Sequence, residues 1–313
     1  MANRIKEKYM AGKRYFDYPM LFLVIFLICF GLVMIYSTSS YKSTVTYGNS
    51  YHWLLRQAVA IVLGAVAMVV CCKLDYRIMK SEKVGNGCYW ASIVLLVLVL
   101  IIGAAKKGAV RWISIAGFQF QPSEVSKILV VIYLANRLSA NAHKIRTFKD
   151  SIVIVLPTVP IIALIVTQNL STALVVCSMI GVMLFVVSPK MKELMLTAGG
   201  GIILLFVYLL TANSYRNERV QIWLHPESHK KGFQTMQALY AIGSGGIFGK
   251  GLGQSMQKMG FIPESHNDMI FSIICEELGL FGAVCLILVF VALIFRMLLI
   301  ALNTDCLLYT SDA

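Results

Sequence analysis

The sequence predicts an all-α fold, a polytopic transmembrane helix bundle, and three observations carry that expectation. First, 58% of the 313 residues are hydrophobic and only 14% are charged, where a soluble domain carries about 25% charge. Second, the apolar residues are gathered into long runs, each near the roughly 20 residues that cross a bilayer. Third, basic residues recur in alternate short segments between those runs, the pattern that orients membrane helices. The formal net charge of +13 therefore fits an anionic membrane surface better than nucleic acid.

The runs lie at about 18–36, 53–72, 88–105, 122–138, 151–166, 170–188, 193–211 and 269–301, giving about eight spans. The first follows a basic N-terminus and is succeeded by Ser37-Thr38-Ser39-Ser40, not by a small-x-small cleavage site, so it reads as an uncleaved span. Pro122, Pro157 and Pro160 interrupt the fourth and fifth. The last run is long enough to overshoot the bilayer or bend.

Arg4, Lys6, Lys8, Lys13 and Arg14 precede the first span. Lys73, Arg77, Lys80 and Lys83 follow the second, Arg137, Lys144, Arg146 and Lys149 the fourth, and Lys190 and Lys192 the sixth. The N-terminus is accordingly expected in the cytoplasm and the long segment 212–268 outside. Only the third loop, with Lys106, Lys107 and Arg111, blurs the contrast. A loop as long as 212–268 is uncommon unless it has a function. After Asn303 the wording changes and no further span follows, so residues 303–313 read as a truncated or non-native tail behind a membrane domain at 1–302.

Eight cysteines lie mostly inside apolar runs with no C-x-x-C pair, which excludes a disulfide framework or zinc site as the leading expectation. His225-Pro-Glu-Ser-His229 is not H-E-x-x-H, and its partial recurrence at 263–266 reads as coincidence.

Three stretches carry chemistry. In Arg111-Trp112-Ile113 and Gln121-Pro122-Ser123-Glu124-Val-Ser-Lys127, Pro122 and Glu124 suit a first helical turn. Glu124 and Lys127 share one helix face. Ionisable residues at a span are costly and face a protein interior or wet cavity; the plainer role is an ion pair that fixes packing. The second stretch, Gln237 to Ser255, is glycine-rich. It suggests backbone that approaches something closely, or a flexible interfacial turn. It is no nucleotide loop: Ser244 stands where the Walker pattern needs glycine, and Gly251 follows Lys250 where it needs Ser or Thr.

The third stretch is Pro263-Glu-Ser-His266-Asn-Asp268, followed by Glu276-Glu277-Leu-Gly279. Asn267 and Asp268 stand where a helix cap belongs, yet a cap needs one acid and this stretch has four. Glu276 should lie about 12 Å along a helix from Asp268, so it must be paired, protonated or lining a cavity. Lys127 or Arg111 are the expected partners if the fourth and eighth spans pack together.

Together these stretches resemble the shape, elongation, division and sporulation family, whose members include FtsW, RodA and SpoVE. Phe16-Asp17-Tyr18 and Gly31-Leu-Val-Met-Ile-Tyr36-Ser add to the likeness, which covers about residues 15–302. One departure is Gln168-Asn169-Leu170-Ser171-Thr172-Ala173, where the family has Gln-Pro-Asp-Leu-Gly-Thr-Ala. Another is length: the family has ten spans, and this chain stops near the end of the eighth.

The resemblance implies a glycosyltransferase that polymerises lipid II with undecaprenyl-pyrophosphate-linked glycan as donor. It implies membrane embedding and a class B penicillin-binding protein as partner, among other divisome or elongasome proteins. Asp268 is then the base that takes the acceptor hydroxyl proton. Arg111 and Lys127 hold the pyrophosphate, with Lys250 and Arg216 as further cations. Trp112, Gln121, Ser123, His266 and Glu277 fall within the signatures as substrate-binding residues, and Glu124 or Glu276 orients the cations. A divalent cation, magnesium or manganese, could share the charge; no nucleotide and no nucleic acid are expected. A lipid flippase and a non-catalytic scaffold for a transpeptidase stay open as alternatives.

Overall fold

The computed structural model describes residues 17–74, 76–106, 109–115, 118–141, 148–187, 221–229 and 232–303. The expected span at 193–211, Arg216 and the tail from residue 304 lie outside the described residues. The chain divides into two compact units, one built from 17–73 with 221–303 and the other from 74–187.

In the first unit, α1 (Tyr18–Tyr47) begins where the Asp17 carboxylate accepts from the Met20 amide at 2.8 Å, and it ends at Gly48 in the left-handed conformation. α2 (His52–Lys73) packs on α1 but has no buried residue; an apolar helix so little covered is suited to lipid. α1 packs on α9 (Ile270–Asn303) through Met34, Ile274 and Leu286. These two helices run antiparallel, because Arg296 pairs with Asp17 while Glu277 meets Ser37. The 20 residues from Asp17 to Ser37 rise about 30 Å, the thickness of a bilayer's hydrocarbon core.

In the second unit, α3 (Glu82–Ile102) leads into a small antiparallel meander of β1 (Ala104–Lys106), β2 (Ala109–Ile115) and β3 (Phe118–Phe120). The register pairs Ile113 with Phe120 and Ala104 with Trp112. The sequence reading had only a loop here; the meander adds a short β element to an otherwise helical membrane fold.

α4 (Pro122–Ala140) starts at Pro122 and packs chiefly on α3. α5 (Phe148–Val155), a 3-10 turn (Leu156–Thr158) and α6 (Val159–Gln168) form one interrupted segment, broken where Pro157 and Pro160 withhold amide donors. α7 (Leu170–Val187) follows, with the Asn169 side chain accepting from the Ser171 amide at 3.1 Å. Leu134, Ile161, Ile165 and Val176 form the buried centre of this unit.

Among the described residues, five segments are long and apolar enough to cross a membrane: Tyr18–Tyr47, His52–Lys73, Glu82–Ile102, Lys149–Gln168 and Ile270–Ala301. Leu170–Phe185 is a shorter apolar helix. α4 matches the expected fourth span in place. It carries Glu124, Lys127 and Arg137 near its ends, while Val130 and Leu134 in its middle are buried.

Candidate functional site

The first unit's site is built around a break in α9. Gly279 has φ 68° and ψ −170°, inside a helix that is otherwise continuous from Ile270 to Asn303. In an unbroken helix the amides of Leu280 and Phe281 would donate to the carbonyls of Glu276 and Glu277. Instead Leu280 and Phe281 donate to the carbonyls of Gly246 and Ile247 at 2.9 and 3.0 Å. The carbonyls of Glu276 and Glu277 accept from the amides of Lys250 and Gly251, both at 2.9 Å. Two helical bonds are thereby replaced by four to a glycine-rich strap, which is how irregular backbone is tolerated within an apolar helix.

The strap follows α8 (Phe233–Ser244). Its glycines are required by contact: a Cβ on Gly245 would lie 2.0 Å from the Cys275 carbonyl oxygen, and one on Gly249 2.2 Å from that of Glu277. What the glycine-rich stretch approaches closely is therefore the broken helix.

Backbone pairing fixes the side chains. Because the Lys250 amide bonds Glu276, the Lys250 ammonium reaches the Glu276 carboxylate at 2.7 Å and Ser244 Oγ at 2.9 Å. Ser255 Oγ and, at 3.3 Å, the Met256 amide also donate to Glu276, whose side chain is wholly buried. The expectation that Lys127 or Arg111 pairs with Glu276 is corrected: the strap delivers Lys250 there. Lys127 instead bonds Glu124 at 2.8 Å, one turn along α4.

Glu277 points to a second cation. Lys258 Nζ donates to its carboxylate at 2.8 Å and to Ser37 Oγ at 3.0 Å, and Ser37 lies 2.8 Å from both carboxylate oxygens. All three residues are buried. The sequence reading passed over Lys258, Ser37, Ser244 and Ser255. The available signal was electrostatic: two adjacent carboxylates in an apolar helix need two cations, and Lys250 and Lys258 are the basic residues nearest in the preceding loop.

From Lys258 the chain turns back to α9 and carries Asp268. Ile262 is buried with Ala241 and Ile273. Ser265 reaches the Thr38 carbonyl at 3.5 Å, and the buried His266 ring lies against Trp53 with centroids 4.7 Å apart. Burial and the Lys42 charge hold the His266 pKa below its ordinary value of 6.5, against a smaller upward pull from Glu264.

α9 begins at Ile270, with the Ile270 amide bonding the Asn267 carbonyl, so Asp268 precedes the helix and does not lie along it. Asp268 is exposed and, among the described residues, has no hydrogen bond or ion pair. Among the described residues it is the one acid of the 268–277 stretch that no lysine neutralises.

In the second unit, Gln121 Nε2 donates to the buried Ser123 Oγ at 3.0 Å at the start of α4. Trp112 is half-buried on β2, the strand that also contains Arg111. His225 and Glu227 approach to 3.4 Å at the surface. No group of three His, Cys, Asp or Glu side chains among the described residues could hold a metal ion.

An apolar helical bundle with paired charges set at a broken helix defines a multi-pass membrane protein with an ionic site at one end of its spans. The chain belongs to the FtsW/RodA/SpoVE family: the family model described as "Cell cycle protein" matches residues 18–309.

It is 36% identical over 299 residues to the probable peptidoglycan glycosyltransferase FtsW of Geobacter metallireducens, covering 92% of this chain and 77% of that protein. It is 34% identical to the stage V sporulation protein E of Bacillus subtilis, covering 92% and 79%. Among solved structures, a chain from a peptidoglycan synthase complex, studied for the structural coordination of polymerization and crosslinking, superposes with a TM-score of 0.74. That match has 28% identity and covers 95% of this chain and 81% of the other. The rod shape determining protein RodA of Thermus thermophilus superposes with a TM-score of 0.63 at 26% identity, covering 94% and 78%.

Proposed function

We propose that this chain is a peptidoglycan glycosyltransferase that polymerises lipid II on the outer face of the bacterial cytoplasmic membrane, for cell division or cell-shape maintenance. The observation that carries this reading is the contrast among the acids of one stretch. Glu276 and Glu277 are buried and held by lysines, whereas Asp268 is exposed with no cation on it among the described residues. A carboxylate already bonded to an ammonium is a weak proton acceptor; Asp268 is available for that task. The relatives named as peptidoglycan glycosyltransferases supply the reaction class.

In this mechanism Asp268 takes the proton from the acceptor's sugar 4-hydroxyl as its oxygen forms a bond to the donor's anomeric carbon. The bond from that carbon to the pyrophosphate oxygen breaks, and undecaprenyl pyrophosphate leaves with the electron pair. Pyrophosphate is a good leaving group, so no strong acid is required. Cations stabilise the charge that builds on it. Arg111 and Lys127 are assigned that role from the family signature, with Glu124 orienting Lys127.

Lys250 is 36% exposed at its side chain, so it can meet a phosphate at the edge of its pair with Glu276. A divalent cation would draw ligands chiefly from the pyrophosphate and water, as magnesium does, with Asp268 the open carboxylate beside it. When bound it would neutralise charge on the leaving group. The apolar helix faces hold the lipid tails. The likeness to a chain of a peptidoglycan synthase complex supports a crosslinking partner of the class B penicillin-binding type. The basic residues before α1 support a cytoplasmic N-terminus.

The test is polymerisation of labelled lipid II by purified protein in nanodiscs with magnesium or manganese, with and without the penicillin-binding protein. Long glycan products are expected from the wild type, with a rate about a hundred- to ten-thousand-fold lower in Asp268→Ala, the usual contribution of a positioned base. Equal polymerisation by the variant would overturn the role of Asp268. Lipid translocation without polymer would replace the reading with a flippase.

A further inference from the structure

Resting on the polymerase reading, we propose that Lys258, Glu277 and Ser37 form a positioning triad that sets the register of the external turn on α9 and so places Asp268. Three observations assign this role. The triad is buried, with side-chain exposures of 6% for Lys258 and 0% for Glu277. It joins three separate parts of the chain: α1 through Ser37, α9 through Glu277 and the external loop through Lys258. It also lies at the start of the turn that ends in Asp268.

Between Lys258 and Ile270 the loop is pinned at both ends, with Ile262 inserted into an apolar cluster and His266 against Trp53. Slippage of the loop by one residue would bring a different side chain to Glu277. The adjacent Glu276 is already occupied by Lys250 and Ser255, so neither carboxylate can accept the other's lysine without losing its own. The two pairs thus define a single alignment of loop on helix.

Stability alone gives a poor reason for such an arrangement. A buried ion pair contributes little more than well-packed apolar residues of the same volume, whereas polar groups at a buried seam can fix register. Ser37 completes the seam, since it accepts from Lys258 while donating to Glu277. The effect on the reaction is indirect: none of the three touches the reacting atoms, and each acts through the position of Asp268.

The test uses the full chain in nanodiscs and two readouts. Lys258→Met/Glu277→Leu removes both charges while keeping volume, so it folds. Its amides over 259–269 are expected to exchange at least ten-fold faster than in the wild type. The kcat for lipid II polymerisation is expected to fall at least ten-fold with KM within two-fold. Lys258→Arg, which keeps the charge and donor, is expected to restore both readouts to within three-fold.

A double variant with wild-type exchange over 259–269 overturns the triad's role, as does faster exchange with unchanged kcat. If the wild type makes no polymer, the polymerase reading fails by itself and exchange alone decides the register role.

Discussion

Gly249 and Gly279 meet backbone to backbone: a Cβ on Gly279 would lie 2.3 Å from the Gly249 amide nitrogen, and both residues have positive φ, 79° and 68°. The break in α9 therefore depends on two glycines distant in sequence. Gly279→Ala and Gly249→Ala are each expected to destabilise the protein by about 3 kcal/mol or more, combining strain at positive φ with a backbone clash. Gly243, on α8, has open space where its Cβ would be, so Gly243→Ala is expected to be neutral or slightly stabilising. Thermal unfolding in detergent, followed by fluorescence-detected gel filtration, compares the three. Equal melting of all three variants would show that the strap does not depend on close approach.

The two ion pairs differ in exposure, and that difference orders four substitutions. Lys250 is partly exposed while Glu276 is fully buried. Glu276→Gln leaves an ammonium that water can reach, and screening there keeps the cost to about 1 kcal/mol. Lys250→Met leaves a buried carboxylate with only Ser255, Ser244 and the Met256 amide, and should cost distinctly more. Lys258 and Glu277 are both buried, so Lys258→Met and Glu277→Gln should each cost about 3–5 kcal/mol, the usual penalty for breaking a buried pair. Chemical denaturation of the four variants checks the order. A more damaging Glu276→Gln than Lys250→Met would contradict it.

Much of this was legible in the sequence because membrane constraints are simple. Apolar run length placed α1, α2, α3 and α9, and Pro157 and Pro160 marked the interruption between α5 and α6. The glycine-rich stretch told of close backbone approach without naming its target, because the positive φ at Gly279 is invisible until the helix breaks. The sequence reading sought a partner for Glu276 on another span, since a helix offers neighbours only three or four residues away. It could not see that a strap returning along the helix supplies Lys250. Ser37 and Glu277 are 240 positions apart, and no periodicity links them. The meander at Ala104–Phe120 escaped because two of its strands have only three residues, and Lys106 and Arg111 interrupt the apolar pattern of β1 and β2.

His266 gives a pH dependence with a definite sign. Burial against Trp53 and the charge of Lys42 lower its pKa, while Glu264 pulls it up less strongly. On the α2 side the Arg56 guanidinium carbon lies 5.8 Å from the centroid of the Trp53 ring. The unfolded chain therefore takes up the His266 proton at higher pH than the folded one does. Stability is full above about 6.5 and falls as pH drops from there towards the lowered folded value. Replacing the ring with a group that does not titrate, as in His266→Asn, should flatten this loss between pH 7.5 and 5. Melting temperatures of the two proteins across that range provide the check. A parallel decline in both would assign the dependence to other groups.

Asp17 pairs with Arg296 at one end of the antiparallel helices α1 and α9, and Ser37 meets Glu277 at the other. The two anchors, Asp17 and Ser37, are 20 residues apart along α1, roughly one hydrocarbon thickness, so they belong to opposite membrane surfaces. If the N-terminus is cytoplasmic, as proposed from the basic residues before α1, the Asp17 end lies inside, and the Asp268 turn then lies outside with α9 returning to the cytoplasm. A fluorescent protein fused after Asn303 should then fluoresce. Glu227→Cys, in the exposed 226–228 turn, should react with a membrane-impermeant maleimide on intact spheroplasts. A dark fusion together with protected Cys at that position would reverse the orientation, and would move Asp268 to the side of the membrane where no glycan is polymerised.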